Sequence, residues 1–230
     1  MLLLVCVGLG LTACRARSAP PVGEPRFRSP RALDVLAGRV PIVAEGPASG
    51  AGRRVLLDGK PGPALDASGN GWLDTQPLAD GLHQLQLAAA GPGSAAVSVV
   101  VLNHGAEVFF KDGSEGVIEA PTAPSGGHDE AQHYRFHWEM TAGAKAVLAL
   151  LSWSGEGFDL EAAVGTGTCP HHGQRLAVGH SPESPVTILH RSPSGGDLSL
   201  EQWFVHARLL NGEAVLGRRA PFHVRAFLLR

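Results

Sequence analysis

The chain has no apolar run longer than about ten residues, no Gly-x-Ser-x-Gly elbow and no phosphate-binding glycine loop. Its acidic residues are scattered one per predicted strand, so nothing marks a catalytic carboxylate pair. These absences argue against an enzyme, although a triad assembled across the fold leaves no mark in one sequence. An excess of charge of either sign is missing too: the formal net charge is -2, so no global field selects nucleic acid as a partner. Cysteine (3), methionine (2), tyrosine (1) and lysine are scarce.

What the 230 residues do contain is 30 glycines, 17 prolines and short runs of Ala, Val and Leu. That composition describes many short strands joined by Gly/Pro turns, and the length allows one or two domains. The expected fold class is all-β.

Residues 2 to 11, LLLVCVGLGL, are too few to cross a bilayer, which takes about 20 apolar residues in a helix. They fit the apolar region of a signal peptide followed by small residues. Leu11-Thr12-Ala13-Cys14 resembles the lipobox of bacterial lipoproteins, in which a small pair precedes the cysteine that is lipidated and becomes the mature N-terminus. The resemblance implies a signal peptide over 1–13 and at least two acyl chains (diacylglyceryl and palmitate) on Cys14, enough for durable attachment. Arg15 in place of Asp favours the outer membrane in the sorting pattern of such proteins. No Lys or Arg precedes the apolar run: either the terminal amine suffices, or the true start lies upstream. The competing reading is an ordinary signal peptide with a chance cysteine. Cys6 would leave with the leader and Cys14 would carry lipid, so Cys169 would have no intrachain partner. A disulfide framework and a multi-cysteine zinc site are not expected.

Residues 14–36 read as a Pro/Arg-rich tether, spanning about 25 Å as a coil and up to roughly 70 Å if extended. Its arginines either draw it to anionic head groups or merely keep it soluble; charge alone does not choose.

From 37 to 103 the pattern is that of strands, with Asp58-Gly59 suited to a tight hairpin turn. The segment resembles bacterial immunoglobulin-like repeats through Asp58, Gly59, Trp72, Asp74, Thr75, Leu78, Ala79, Asp80, Gly81 and His83. The resemblance implies a small Ig-like sandwich.

Residues 104–230 read as a larger, jelly-roll-like β-sandwich. In HYRFHWEM, His133, Arg135, His137 and Glu139 alternate with Tyr134, Phe136, Trp138 and Met140, a polar and an apolar face. Further strands are expected at 145–153, 158–164, 185–190, 201–210 and 221–229. The order of aromatic strand, Ala-Gly turn, apolar strand and Phe158-Asp159-Leu160 resembles pre-peptidase C-terminal domains of secreted bacterial proteins. That resemblance implies an accessory or binding unit.

Three stretches invite metal chemistry. Asp66, Ser68, Asn70 and Gly71 imitate a calcium loop, but the twelfth place is Pro77 where a bidentate Glu is required. His133 and His137 have a zinc-protease interval, but on a strand it sets them about 13 Å apart, too far to share one ion. Cys169, His171 and His172 fall within four residues on a loop and would need His180 or His190 to complete a shell. The alternative reading of that loop is a solvent-facing turn with Cys169 buried.

The expectation is therefore an envelope-anchored, non-catalytic binding or scaffolding protein, with no cofactor and with the membrane as partner through Cys14. It would engage protein or glycan, surface tryptophans such as Trp72, Trp153 or Trp203 being candidate sugar platforms, although alternation turns Trp138 and Trp203 inward. The alternative is a metal-binding protein or hydrolase accessory using Cys169, His171 and His172.

Overall fold

A computed structural model describes residues 25–46, 54–88, 96–123, 133–167 and 174–230. They form an all-β structure, whose strands in chain order begin with β1 (Arg26–Ser29), β2 (Val35–Leu36), β3 (Arg39–Glu45), β4 (Arg54–Leu57), β5 (Lys60–Ala64) and β6 (Asn70–Asp74). Next come β7 (Gly81–Ala88), β8 (Ala96–Val101), β9 (Ala106–Glu107), β10 (Glu115–Glu119), β11 (His133–Glu139) and β12 (Ala146–Trp153). The last are β13 (Leu160–Thr166), β14 (Gln174–Ser181), β15 (Val186–Arg191), β16 (Gln202–Leu209) and β17 (Arg219–Leu229). A single 3-10 turn at Gly212–Val215 is the one helical element among the described residues.

The chain divides into two compact units. Of the described residues, the first takes those up to Arg31, with 41–72 and 84–97; the second takes 32–40, 73–83 and 98–230. β1 and β2 lie within the stretch expected to be a tether. β1 pairs antiparallel with β3, Arg26 opposite Glu45, and the two side chains approach to 3.3 Å. Val35 and Leu36 pair in parallel with Val100 and Val101.

In the first unit β4 and β5 form the expected hairpin, with Asp58 and Gly59 both at positive φ (50° and 76°), the geometry of a primed two-residue turn. β4 also pairs with β7, and Val55, Leu85 and Leu87 are buried by alternation. The calcium-like stretch is a turn: the Asp66 carboxylate accepts the backbone N–H of Ser68 (2.8 Å) and of Asn70 (2.9 Å).

The second unit is built on two antiparallel sheets, β10-β17-β12-β15 with β9 beside β17, and β11-β16-β13-β14. Their facing sides meet in one apolar core containing Phe136, Trp138, Val147, Leu151, Leu160, Trp203 and Phe222. β12 reads AVLALLSW and is buried nearly throughout. The reason is that both of its faces are covered. Val147, Ala149 and Leu151 face the sandwich core, while Ala146, Leu148 and Leu150 pack with Val100, Phe227 and Leu229 on the other side. A continuous apolar strand is what two buried faces require, and each fully buried Leu contributes about 1.5–3 kcal/mol. β16 is buried nearly throughout as well, whereas β11 alternates: Trp138 opposite Trp203 and Phe136 opposite Val205 join the core, and His137 opposite Phe204 takes the other face.

Candidate functional site

One edge of β17 carries a strand interrupted by an arch. Ala106 and Glu107 pair with Leu228 and Phe227, and the Val108 N–H donates to the Ala226 carbonyl (2.8 Å). Pairing resumes where Val224 N–H donates to the Ser114 carbonyl (2.7 Å), followed by Glu115 opposite His223. The chain therefore spends residues 109–113 where β17 advances only from Ala226 to Val224, and the surplus leaves the sheet. Gly113, at φ 87°, closes the arch with its N–H on the Phe110 carbonyl (3.1 Å).

The arch separates two adjacent phenylalanines. Phe110 turns inward, 5.6 Å from the ring of Phe136 and 5.9 Å from that of Trp138 in an edge contact. Phe109 turns out and is 87 % exposed, the most exposed of the large apolar side chains among the described residues. Beside it is a cleft of about 350 Å³. Its apolar wall is Val108, Phe109, Trp138 and Leu228, and its polar side is Lys111, Asp112, His137, Glu139, Thr141 and Gln202. Glu107, also on the wall, is held bidentate by Arg225 at 2.7 and 3.1 Å.

Two ring nitrogens of this cleft are buried without a hydrogen-bond partner: Nε1 of Trp138 and Nδ1 of His137. Trp138 is held by its core packing, tilted against Trp203 at 6.2 Å, and cannot turn its N–H to solvent. An unmet buried polar group costs about 1–3 kcal/mol, a cost the fold bears at both nitrogens. Burial lowers the pKa of His137, and the nearby Arg135 lowers it further against an opposing contribution from Asp112. His137 is therefore neutral at pH 7, with one ring nitrogen donating and the other accepting. Its ring is seated edge-on to Phe204 at 6.1 Å.

The structure sorts the residues singled out from the sequence. Cys14, Cys169, His171 and His172 lie outside the described residues. β11 is a strand, as the rejection of a His133/His137 zinc pair requires. Among the described residues no group of three or more His, Cys, Asp or Glu is placed to hold a metal ion. Trp72 is 54 % exposed on β6 in the first unit. Trp153 and Trp203 are not sugar platforms: Trp203 is buried, with its N–H on the Ser199 carbonyl (3.0 Å), and Trp153 lies opposite Phe222 in the core. Phe109 escaped the sequence reading. The signal for it was Val108-Phe109-Phe110 ahead of a Lys-Asp-Gly turn, since neighbours on extended backbone face opposite ways.

The described residues define an all-β protein whose second unit is a two-sheet β-sandwich. No family model and no curated protein matches the chain. Solved structures similar to it include a carbohydrate-binding module of the β-sandwich superfamily, at 10% identity over 89% of this chain and 97% of that one, TM-score 0.31. Another is the M60 catalytic domain with the CBM51-1 and CBM51-2 domains of Clostridium perfringens ZmpB, at 7% identity over 98% and 32% of the two chains, TM-score 0.34. A third is Bacteroides ovatus SGBP-B, of the mixed-linkage glucan utilization locus, bound to a mixed-linkage heptasaccharide, at 11% identity over 76% and 50%, TM-score 0.24.

Proposed function

We propose that the protein is a non-catalytic glycan-binding module of the bacterial cell envelope, attached through lipid on Cys14 with the outer membrane favoured. The observation that carries the binding reading is Phe109, an almost fully exposed ring beside a cleft with one apolar wall and one polar side. A pyranose offers an apolar C–H face to such a ring and hydroxyls to side chains such as Lys111, Asp112, Glu139 and Gln202, and sites of about 300–1,000 Å³ are typical of small-molecule recognition. A glycan array probed with the full chain and with Phe109→Ala tests this. Binding that the substitution weakens about 5- to 100-fold, at unchanged thermal stability, is the expected result. Binding that ignores the substitution, or no binding to any glycan, overturns it.

The anchor rests on the leader and on Leu11-Thr12-Ala13-Cys14. Intact-mass spectrometry of protein from a bacterial host should find a lipidated N-terminus at Cys14, absent in Cys14→Ala. A bare thiol there, or a retained leader, removes the anchor from the proposal.

A further inference from the structure

Phe109 borders more than one depression. A second, of about 390 Å³, shares Glu107, Val108 and Phe109 with the first and runs on to Ser114 and His223. A third, of about 520 Å³, shares His223 with the second and runs on to Glu115, Ser152 and Ser154. The three thus form a chain along the arch and β17, joined at Phe109 and at His223. We infer that the ligand is an internal stretch of an uncharged polysaccharide, lying across all three depressions with the Phe109 ring between the first two. The inference rests on the glycan reading and specifies the length and charge of what is bound.

Length follows from the joints. A single sugar in the first cleft would use one side of a ring that is 87 % exposed and leave the second depression unused. Each depression falls within the size range of a small-molecule site on its own, and three in succession suit a chain that enters and leaves.

Charge follows from how the polar groups are already engaged. The Arg225 guanidinium at the second depression is bidentate on Glu107 and also donates to the Leu33 carbonyl (3.1 Å). An incoming uronate would find its fork occupied, and that fork is the group best matched to a carboxylate. The first cleft is lined by one cation, Lys111, and by the carboxylates of Asp112 and Glu139, so its lining does not favour an anion. Further along, the polar groups are the Glu115 carboxylate, the Ser154 hydroxyl, the Ser152 hydroxyl (donating to the His223 carbonyl at 3.3 Å) and the His223 imidazole, in contact with the Ser114 hydroxyl at 3.0 Å; none of these is a cation fork.

The test is isothermal titration of the full chain with gluco-, xylo- and manno-oligosaccharides of one to six units, and with oligogalacturonides of the same lengths. At least one neutral series should gain tenfold or more in affinity between one unit and four or more. Phe109→Ala should weaken every length. His223→Ala should weaken only the longer members, and Ser154→Trp, which fills the third depression from an exposed position, should do the same without touching the core. Affinity that is flat with length, oligogalacturonides bound more tightly than the neutral series, or long chains indifferent to both variants would overturn the inference and leave the glycan reading standing. No binding by any oligosaccharide of either charge overturns the reading itself.

Discussion

Asn103, just beyond β8, is the residue whose loss should be felt furthest from its own position. Its Oδ1 accepts the Gly38 N–H (3.2 Å) and lies 2.9 Å from the Thr75 hydroxyl; its Nδ2 donates to the carbonyls of Thr75 (2.6 Å) and Leu78 (3.3 Å). Its backbone N–H donates to Asp80 (2.6 Å), whose side chain is only 1% exposed and also takes the His104 N–H (3.1 Å). Three separate stretches of the second unit, at 38, 75–80 and 103–104, therefore meet on one side chain. Asn103→Ala removes about three net hydrogen bonds at roughly 1 kcal/mol each, and Thr75, fully buried, has no solvent to replace them. A loss of about 3 kcal/mol corresponds to a fall in Tm of roughly 6–12 °C for a body of this size. Asn103→Asp is the sharper variant: it keeps the shape and the acceptor but turns a carboxylate toward two carbonyls. It should match Asn103→Ala at pH 7 and regain stability in acid. The sign is fixed because those carbonyls raise the introduced carboxyl's native pKa above its unfolded value of about 3.9, so protonation favours the fold as pH drops through the native value. Urea titration followed by tryptophan fluorescence, at pH 7 and pH 4.5, reads both. Asn103→Ala within about 1 kcal/mol of the parent, or Asn103→Asp as stable as the parent at pH 7, would refute the reasoning.

Gly165→Ala should destabilise by about 3 kcal/mol or more, because a Cβ there would fall on the Gln174 carbonyl oxygen of the neighbouring strand and 2.6 Å from the Phe204 ring. Calorimetry showing no change would mean that the bulge between Val164 and Gly165 yields freely. Burial lowers the pKa of His190 as it does that of His137, so below about pH 6.5 the unfolded chain binds more protons than the folded one. Stability from both rings is complete above that pH and declines as pH falls toward the lowered native values. The slope of Tm between pH 7 and 5 should flatten in His137→Gln/His190→Gln, and an unaltered slope would discharge the two rings from this role. Tyr134→Phe should cost about 1 kcal/mol in urea, since the hydroxyl donates to the Val117 carbonyl (2.5 Å) while its ring stays packed on Phe222; full stability in that variant would argue that water serves the carbonyl equally well.

Where pattern and packing agreed, the fold was legible from the residues. β12, β15, β16 and β17 fall within two residues of expectation, and β11 shows the inward Trp138 that alternation demanded. Two of the strands missed in the sandwich, β10 and β14, are sheet edges. β10 buries only Ile118 fully, and β14, QRLAVGHS, has no fully buried residue, so neither carries a strong period of two. β1 and β2 were hidden differently: a proline-rich, arginine-rich stretch has no local strand signal, and their partners are β3 and the distant end of β8. The cleft was not legible. Phe109 looks like any core phenylalanine until the arch turns it out, and the unmet nitrogens of Trp138 and His137 exist only because of what the sandwich fails to place against them.

The arch has a practical side. Both of its feet are stitched to β17, six residues apart in sequence and two apart on the strand beneath, so the backbone that carries the ring is set before anything arrives. Little freedom is left for a guest to remove, which favours affinity without new contacts. Positions 109, 111 and 112 should therefore accept replacement as a set, making this short bridge a place to re-aim recognition by selection while the layers under it stay as they are.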